Sequence, residues 1–175
     1  IRETHPGKIM GLASYGDYTN VDVPDLFRLS SVDDMPVIWC DEEIKKNVLE
    51  RSNDYQPEDL ASWLQYQFEK YLLLYLKNIP EKVKSKNLCL AGGCALNILS
   101  NSKIIEEGIY EDVHVNTAPN DDGLNFGAAC LLAFKNEKEF ILPENIGCIG
   151  FEYENNDVLL ALKEKELHGM CSAGY

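Results

Sequence analysis

The feature that most constrains the fold is the order of short elements between residues 87 and 134. Asn87-Leu88-Cys89-Leu90-Ala91 is an apolar run too short for a helix, and it ends in Gly92-Gly93. Ala95 to about Glu107 carries a helical pattern closed by Gly108, and Asp112-Val113-His114-Val115 is a second short apolar run. Thr117-Ala118-Pro119-Asn120-Asp121-Asp122-Gly123 reads as a loop, followed by a helical stretch of small residues from Leu124 to Phe134. Strand, helix, strand, helix with short links has a natural solution, a parallel sheet covered by helices. A right-handed crossover puts the carboxyl ends of both strands at one edge, so the Gly92-Gly93 and Asn120–Gly123 loops emerge side by side. That edge is where ligands bind in open α/β sheets.

Upstream, Pro57-Glu58-Asp59 starts the clearest helix, expected to run to about Lys77. Leu60, Leu64, Phe68, Tyr71, Leu72, Tyr75 and Leu76 recur three and four apart as its apolar stripe, serving core or interface, and Asn78 and Pro80 stop it. Short strands are expected around Leu26–Leu29 and Val37–Cys40, because Pro24, Asp33, Asp34 and Pro36 break any long helix there. His5 to Gly16 reads as a short element between tight loops. Downstream, 143–150 reads as extended chain and 157–167 as a short helix.

Charge narrows the function classes. With 16 basic and 29 acidic residues the formal charge is -13, a field that repels phosphate backbones, so no nucleic-acid partner is expected. One bound nucleotide is compatible with that field, since a loop and a helix terminus act locally. No apolar run approaches the roughly 18 residues of a membrane span. The six cysteines show no CxxC pair or zinc spacing and sit among apolar neighbours, so they are expected to be free, buried thiols in a reducing, cytoplasmic setting.

The site residues follow from the two loops. Gly92 and Gly93 let a ligand approach the backbone. Asn97 and Asn101, four apart on a helix, can aim amides at a polar ligand. Asp121 or Asp122 can hold a hard cation, a Mg²⁺–phosphate or a ligand hydroxyl. Each has a plainer competitor: a tight turn, surface amides, a helix cap at Leu124. Neither GxGxxG nor GxxxxGKS/T occurs, and Gly7-Lys8 lacks the preceding glycine spacing and the following hydroxyl residue. Lys8 can reach an anion or stand exposed; His114 reads as structural, His168 as surface, and Cys94 as small-residue packing with no local histidine.

Three stretches together resemble the nodulation-type O-carbamoyltransferases, which carbamoylate hydroxyls of antibiotics and sugar-derived metabolites. They are Gly7-Lys8-Ile9-Met10-Gly11-Leu12-Ala13-Ser14-Tyr15-Gly16, then Leu90-Ala91-Gly92-Gly93-Cys94-Ala95-Leu96-Asn97, then Asp121-Asp122-Gly123-Leu124-Asn125-Phe126-Gly127-Ala128-Ala129. The resemblance covers about residues 5–153. It implies an α/β fold, part of an actin-like ATPase (ribonuclease H-like) domain with a mixed sheet and flanking helices, related to the tRNA threonylcarbamoyl transferases. Residues 1–153 would be a partial large domain, and 154–175 a tail toward a carboxy-terminal domain outside this chain.

The resemblance further implies ATP and carbamoyl phosphate as substrates, carbamoyl adenylate as the intermediate, a divalent metal (Mg or Fe), and a small-molecule hydroxyl acceptor; a homodimer is compatible with it. Gly92, Gly93 and Asn97 would line the nucleotide pocket, Asp121 would be the metal ligand, Asp122 would support it or touch nucleotide, and Lys8 falls at the family's lysine. Three departures stand out: the family's HxxxH metal pair is missing, Cys94 replaces a common valine, and Ile149-Gly150-Phe151-Glu152-Tyr153 follows the Leu-Gly-Pro-x-Tyr pattern loosely. The chain alone is therefore expected to be inactive. A nucleotide-binding sensor of the actin-like group and a threonylcarbamoyl-type tRNA modifier are the rival readings.

Overall fold

The computed structural model describes residues 6–136, 147 and 150–164. Two compact units divide between Leu132 and Ala133. In the first, helix α1 (Pro6–Ala13) begins on a proline, whose fixed φ and missing N–H suit a first helical position. The expected short element is thus helical, and it packs on α3 (Pro57–Lys77). Gly16, just past α1, makes this contact tight, because a Cβ there would lie 2.1 Å from the Glu58 carbonyl oxygen. Asp59 then pins the following turn, accepting from the Asp17 backbone N–H at 2.8 Å and from Asn20 Nδ2 at 3.0 Å.

The two expected strands are longer than the sequence suggests. Strands β1 (Phe27–Val32) and β2 (Met35–Cys40) pair antiparallel from Phe27↔Cys40 to Val32↔Met35. Asp33 and Asp34 form the two-residue turn with φ of 49° and 66°. Positive φ at both positions matches the right-handed twist of the strands, and the short Asp side chain tolerates it. Helix α2 (Glu42–Glu50) was not anticipated. Its signal is local: Asp41 Oδ1 accepts from the N–H groups of Glu43 and Ile44, at 3.1 and 3.2 Å, and the next apolar positions fall four apart.

Helix α3 spans its expected limits, with acidic residues in the first turn and Lys77 in the last, both favourable to the helix dipole. Its buried face is wider than the stripe of large side chains. Ala61, Trp63, Gln65, Gln67, Tyr71 and Leu76 are the buried residues, so α3 is covered on several sides. Trp63 joins Val21 and Leu26 in one core, against which Phe27, Ile44, Val48 and Leu60 pack. Each aliphatic side chain fully buried there is worth about 1.5–3 kcal/mol.

Strands β3 (Asn87–Leu90) and β4 (Asp112–Val115) pair in parallel, Asn87↔Asp112 through Leu90↔Val115, joined through helix α4 (Ile98–Glu106) as expected. Leu88, Leu90, Val113 and Val115 are half-buried, while Cys89 and His114 lie on the exposed face. Among the described residues the parallel and antiparallel pairs remain separate two-stranded sheets rather than one mixed sheet. Among the described cysteines the expectation of buried thiols fails as well: Cys89 and Cys94 are exposed and Cys40 and Cys130 half-buried, although these four are free, while Cys148 and Cys171 lie outside the described residues. Short alternating strands put every second residue on the open face, whatever its polarity.

Helix α5 (Leu124–Lys135) crosses the boundary between the units and has no buried residue; Leu124 is 69% exposed. In the second unit, α6 (Asn155–Glu164) starts with the Asp157 carboxylate accepting from the Glu154 N–H at 3.0 Å. The extended segment expected over 143–150 and the end of the 157–167 helix lie largely outside the described residues, as do His5 and His168. Among the described residues no helix is long and apolar enough to cross a membrane.

Candidate functional site

The two loops meet at the carboxyl end of the parallel pair. Gly92 follows β3 by two residues, and its N–H donates to the Pro119 carbonyl at 2.7 Å. Gly92 has φ 95° and ψ 168°, a backbone region essentially reserved for glycine. No atom comes within 4 Å of where its Cβ would be, so it is the backbone angle, and not crowding, that requires glycine here.

From Gly92 the chain does not enter α4 directly. Gly93–Leu96 form a 3-10 turn, with the Ala95 N–H on the Gly92 carbonyl and the Asn97 N–H on that of Cys94. Asn97 then caps α4, its Oδ1 accepting from the Ser100 N–H at 3.0 Å. A helix unbroken from Ala95 is therefore corrected to a 3-10 turn, a cap and a shorter helix. Asn favours the cap because its side chain replaces the missing backbone acceptor. Asn101, expected to aim at a ligand, turns back, and its Nδ2 donates to the Ala95 carbonyl at 2.8 Å.

The second loop is equally shaped by its own groups. Asn116 Oδ1 accepts from the Ala118 N–H and Thr117 Oγ1, an Asx-type turn. Gly123 admits no Cβ, which would lie 2.1 Å from the Ala118 carbonyl oxygen. Asp121–Gly123 form a 3-10 turn leading into α5. Asp122 Oδ2 accepts from Asn120 Nδ2 at 3.1 Å. The exposed Asp121 carboxylate has no hydrogen-bond or ion-pair partner among the described residues, and nor does Lys8, exposed on α1.

Gly92, Gly93, Asn97, Asp121 and Asp122 thus share one edge, whereas no polar contact ties Lys8 to them. A single free carboxylate has the donor chemistry of a hard cation. Among the described residues, however, no three His, Cys, Asp or Glu side chains gather as a coordination shell. A cation at Asp121 would need its remaining ligands from water, bound phosphate or other chain segments.

Sequence reasoning missed Gln65, the residue beneath this edge. It is 8% exposed on α3 and pairs with Asn97 in both directions, Gln65 Nε2 to Asn97 Oδ1 at 3.0 Å and Asn97 Nδ2 to Gln65 Oε1 at 2.8 Å. Two uncharged amides, Gln65 and Gln67, alternating with Leu64, Tyr66 and Phe68 were the available signal of a buried polar network.

Fold and edge together define an α/β protein in which two cross-braced loops follow a pair of parallel strands. The Carbamoyltransferase N-terminus family model matches residues 2–130, and the chain belongs to that family. Nodulation protein U of Azorhizobium caulinodans is 37% identical over 82 residues, covering 45% of this chain and 15% of that protein. Nodulation protein NolNO of Sinorhizobium fredii is 30% identical over 137 residues, covering 72% and 20%. Nodulation protein U of Bradyrhizobium diazoefficiens reaches 52% over 46 residues, 26% of this chain and 8% of that protein. The chain thus spans no more than a fifth of the length of these curated relatives.

Proposed function

We propose that this chain supplies one wall of the nucleotide site of an ATP-dependent O-carbamoyltransferase with an actin-like architecture. The acting protein would move a carbamoyl group from carbamoyl adenylate, made from carbamoyl phosphate and ATP, to a hydroxyl of a small-molecule acceptor. The observation that carries this reading is the Gly92–Pro119 hydrogen bond, which braces both family-like loops at the ligand-binding edge of the parallel pair.

The roles follow from what each group offers. Gly92 and Gly93 present backbone with no side chain in the way. Asn97 offers an amide half-buried at the start of α4. Charge developing on phosphate oxygens as AMP leaves is stabilised by preorganised donors. Asp121 contributes one oxygen ligand, and a divalent metal bound there would neutralise phosphate charge; Asp122, held by Asn120, supports the turn. Lys8 is a peripheral anion contact. The free thiols suit a reducing, cytoplasmic setting.

Calorimetric titration of the intact protein with ATP, with and without Mg²⁺, tests the reading. Asp121→Asn is expected to abolish the Mg²⁺ dependence, and Asn97→Ala to weaken binding about tenfold or more. Native-like, Mg²⁺-dependent binding in both folded variants would refute the site. Tight ATP binding with no transfer to any hydroxyl acceptor would favour the sensor reading.

A further inference from the structure

Gln65 lies on α3, 32 residues from Asn97 in sequence, yet it is the group that determines what Asn97 has left to offer. The Ser100 backbone N–H can only donate, so the Asn97 atom it meets must be the carbonyl oxygen, Oδ1. Gln65 is oriented independently, because its Nε2 donates to the Glu69 carboxylate at 2.8 Å. Its two Nε2 hydrogens are shared among that carboxylate, Asn97 Oδ1 at 3.0 Å and Ser100 Oγ at 3.2 Å, while its Oε1 accepts from Asn97 Nδ2 at 2.8 Å. Asn97 Oδ1 is therefore filled by two donors, and one Nδ2 hydrogen is committed to Gln65. Among the described residues the second Nδ2 hydrogen has no partner.

We propose that Gln65 is a positioning residue that locks the Asn97 amide with its oxygen inward, so that Asn97 meets the bound nucleotide only as an N–H donor to an acceptor atom. The inference rests on the reading of Asn97 as part of the nucleotide pocket and goes beyond it by fixing the polarity of the contact. The clamp is buried: Gln65 is 8% and Ser100 1% exposed, so water competes weakly for these bonds. Without Gln65, Asn97 keeps its cap on Ser100 but loses the partner that holds the plane of its amide.

A double-mutant cycle on ATP affinity in the intact protein, in the presence of Mg²⁺, tests this, with thermal melting run alongside. Gln65→Met, close in volume and unable to hydrogen-bond, is expected to weaken ATP binding roughly tenfold. In an Asn97→Ala background the same change should have no further effect. Asn97→Asp, which keeps the inward oxygen and loses the outward N–H, should weaken binding at least as much as Asn97→Ala. Should Gln65→Met not fold, Gln65→Ala, smaller and equally unable to hydrogen-bond to Asn97, replaces it in the cycle. If Asn97→Ala weakens binding while the Gln65 change is additive or silent, the clamp is overturned and the pocket stands. Native affinity in Asn97→Asp with weakened Asn97→Ala likewise overturns the donor role alone. Native affinity in Asn97→Ala would sink the pocket reading, and the clamp with it.

Discussion

The N–H of Gly92 donates to the carbonyl of Pro119 at 2.7 Å, joining two loops that are 27 residues apart in sequence. The bond lies beyond the last strand pair, Leu90 with Val115, and outside the register of the ladder, so it ties the loops and not the strands. The shape of the edge therefore depends on a φ of 95° that only glycine holds without strain.

Gly92→Ala should lower the unfolding free energy by about 1–3 kcal/mol, the cost of forcing a side chain into that region. Gly93→Ala should fall within about 0.5 kcal/mol of the native protein, since a Cβ there meets nothing within 4 Å. Urea unfolding of the intact protein measures both. Equal effects would mean that the backbone angle at residue 92 is not what matters.

The glycines of the first motif should separate in the same way. Gly16→Ala drives a Cβ into the Glu58 backbone and should cost about 1–3 kcal/mol, because backbone cannot rotate aside. Gly11→Ala places the best helix former inside α1, with open space around it, and should stabilise by about 0.5–1 kcal/mol. Melting temperatures moving in opposite directions would bear this out.

Gln67 is 2% exposed and serves two partners, accepting from the Leu26 N–H at 3.1 Å and donating to Asp25 Oδ1 at 2.8 Å. Gln67→Leu leaves a buried N–H and a carboxylate oxygen without these bonds, at a cost of about 1–3 kcal/mol. A urea midpoint unchanged in Gln67→Leu would show that water replaces the amide.

Burial opposes ionisation of Asp25, but Lys70, Gln67 and Tyr71 outweigh it and hold the carboxyl below its usual range. A depressed carboxylate contributes stability that is present above its unfolded pKa of about 3.9 and is lost as pH falls through the folded value. Lys70 runs the other way: the Asp25 carboxylate raises its pKa, so its contribution is present below an unfolded pKa of about 10.4 and fades as pH rises through the folded one. Both side chains are about a third exposed, and screening should keep the effect at or below about 1 kcal/mol. Asp25→Asn should flatten the loss of stability below about pH 4, read as urea midpoint against pH. An acid limb as steep as the native one would place its origin in other carboxylates.

Local patterns determined much of this protein. The limits of α3 could be read from Pro57, the acidic first turn and Asn78, and the two strands from short apolar runs ending at glycine or a polar loop. The side-by-side loops followed from the handedness of a parallel crossover, which needs no knowledge of side-chain contacts. The family membership was legible in three motifs and their order.

Tertiary structure decided what the local pattern left balanced. Helix α4 begins at Ile98 rather than Ala95 because Asn97 spends its side chain as a cap, a competition between equally local bonds. Cys89 and His114 sit on the exposed face because alternation assigns faces without naming which face is covered. Gln65 and Gln67 became buried because acceptors and donors from distant segments met them, Asn97 in one case, Asp25 and Leu26 in the other. The cost of burying an amide depends wholly on whether such partners arrive, and residues 32 or more positions away in sequence supply them only after the chain has folded.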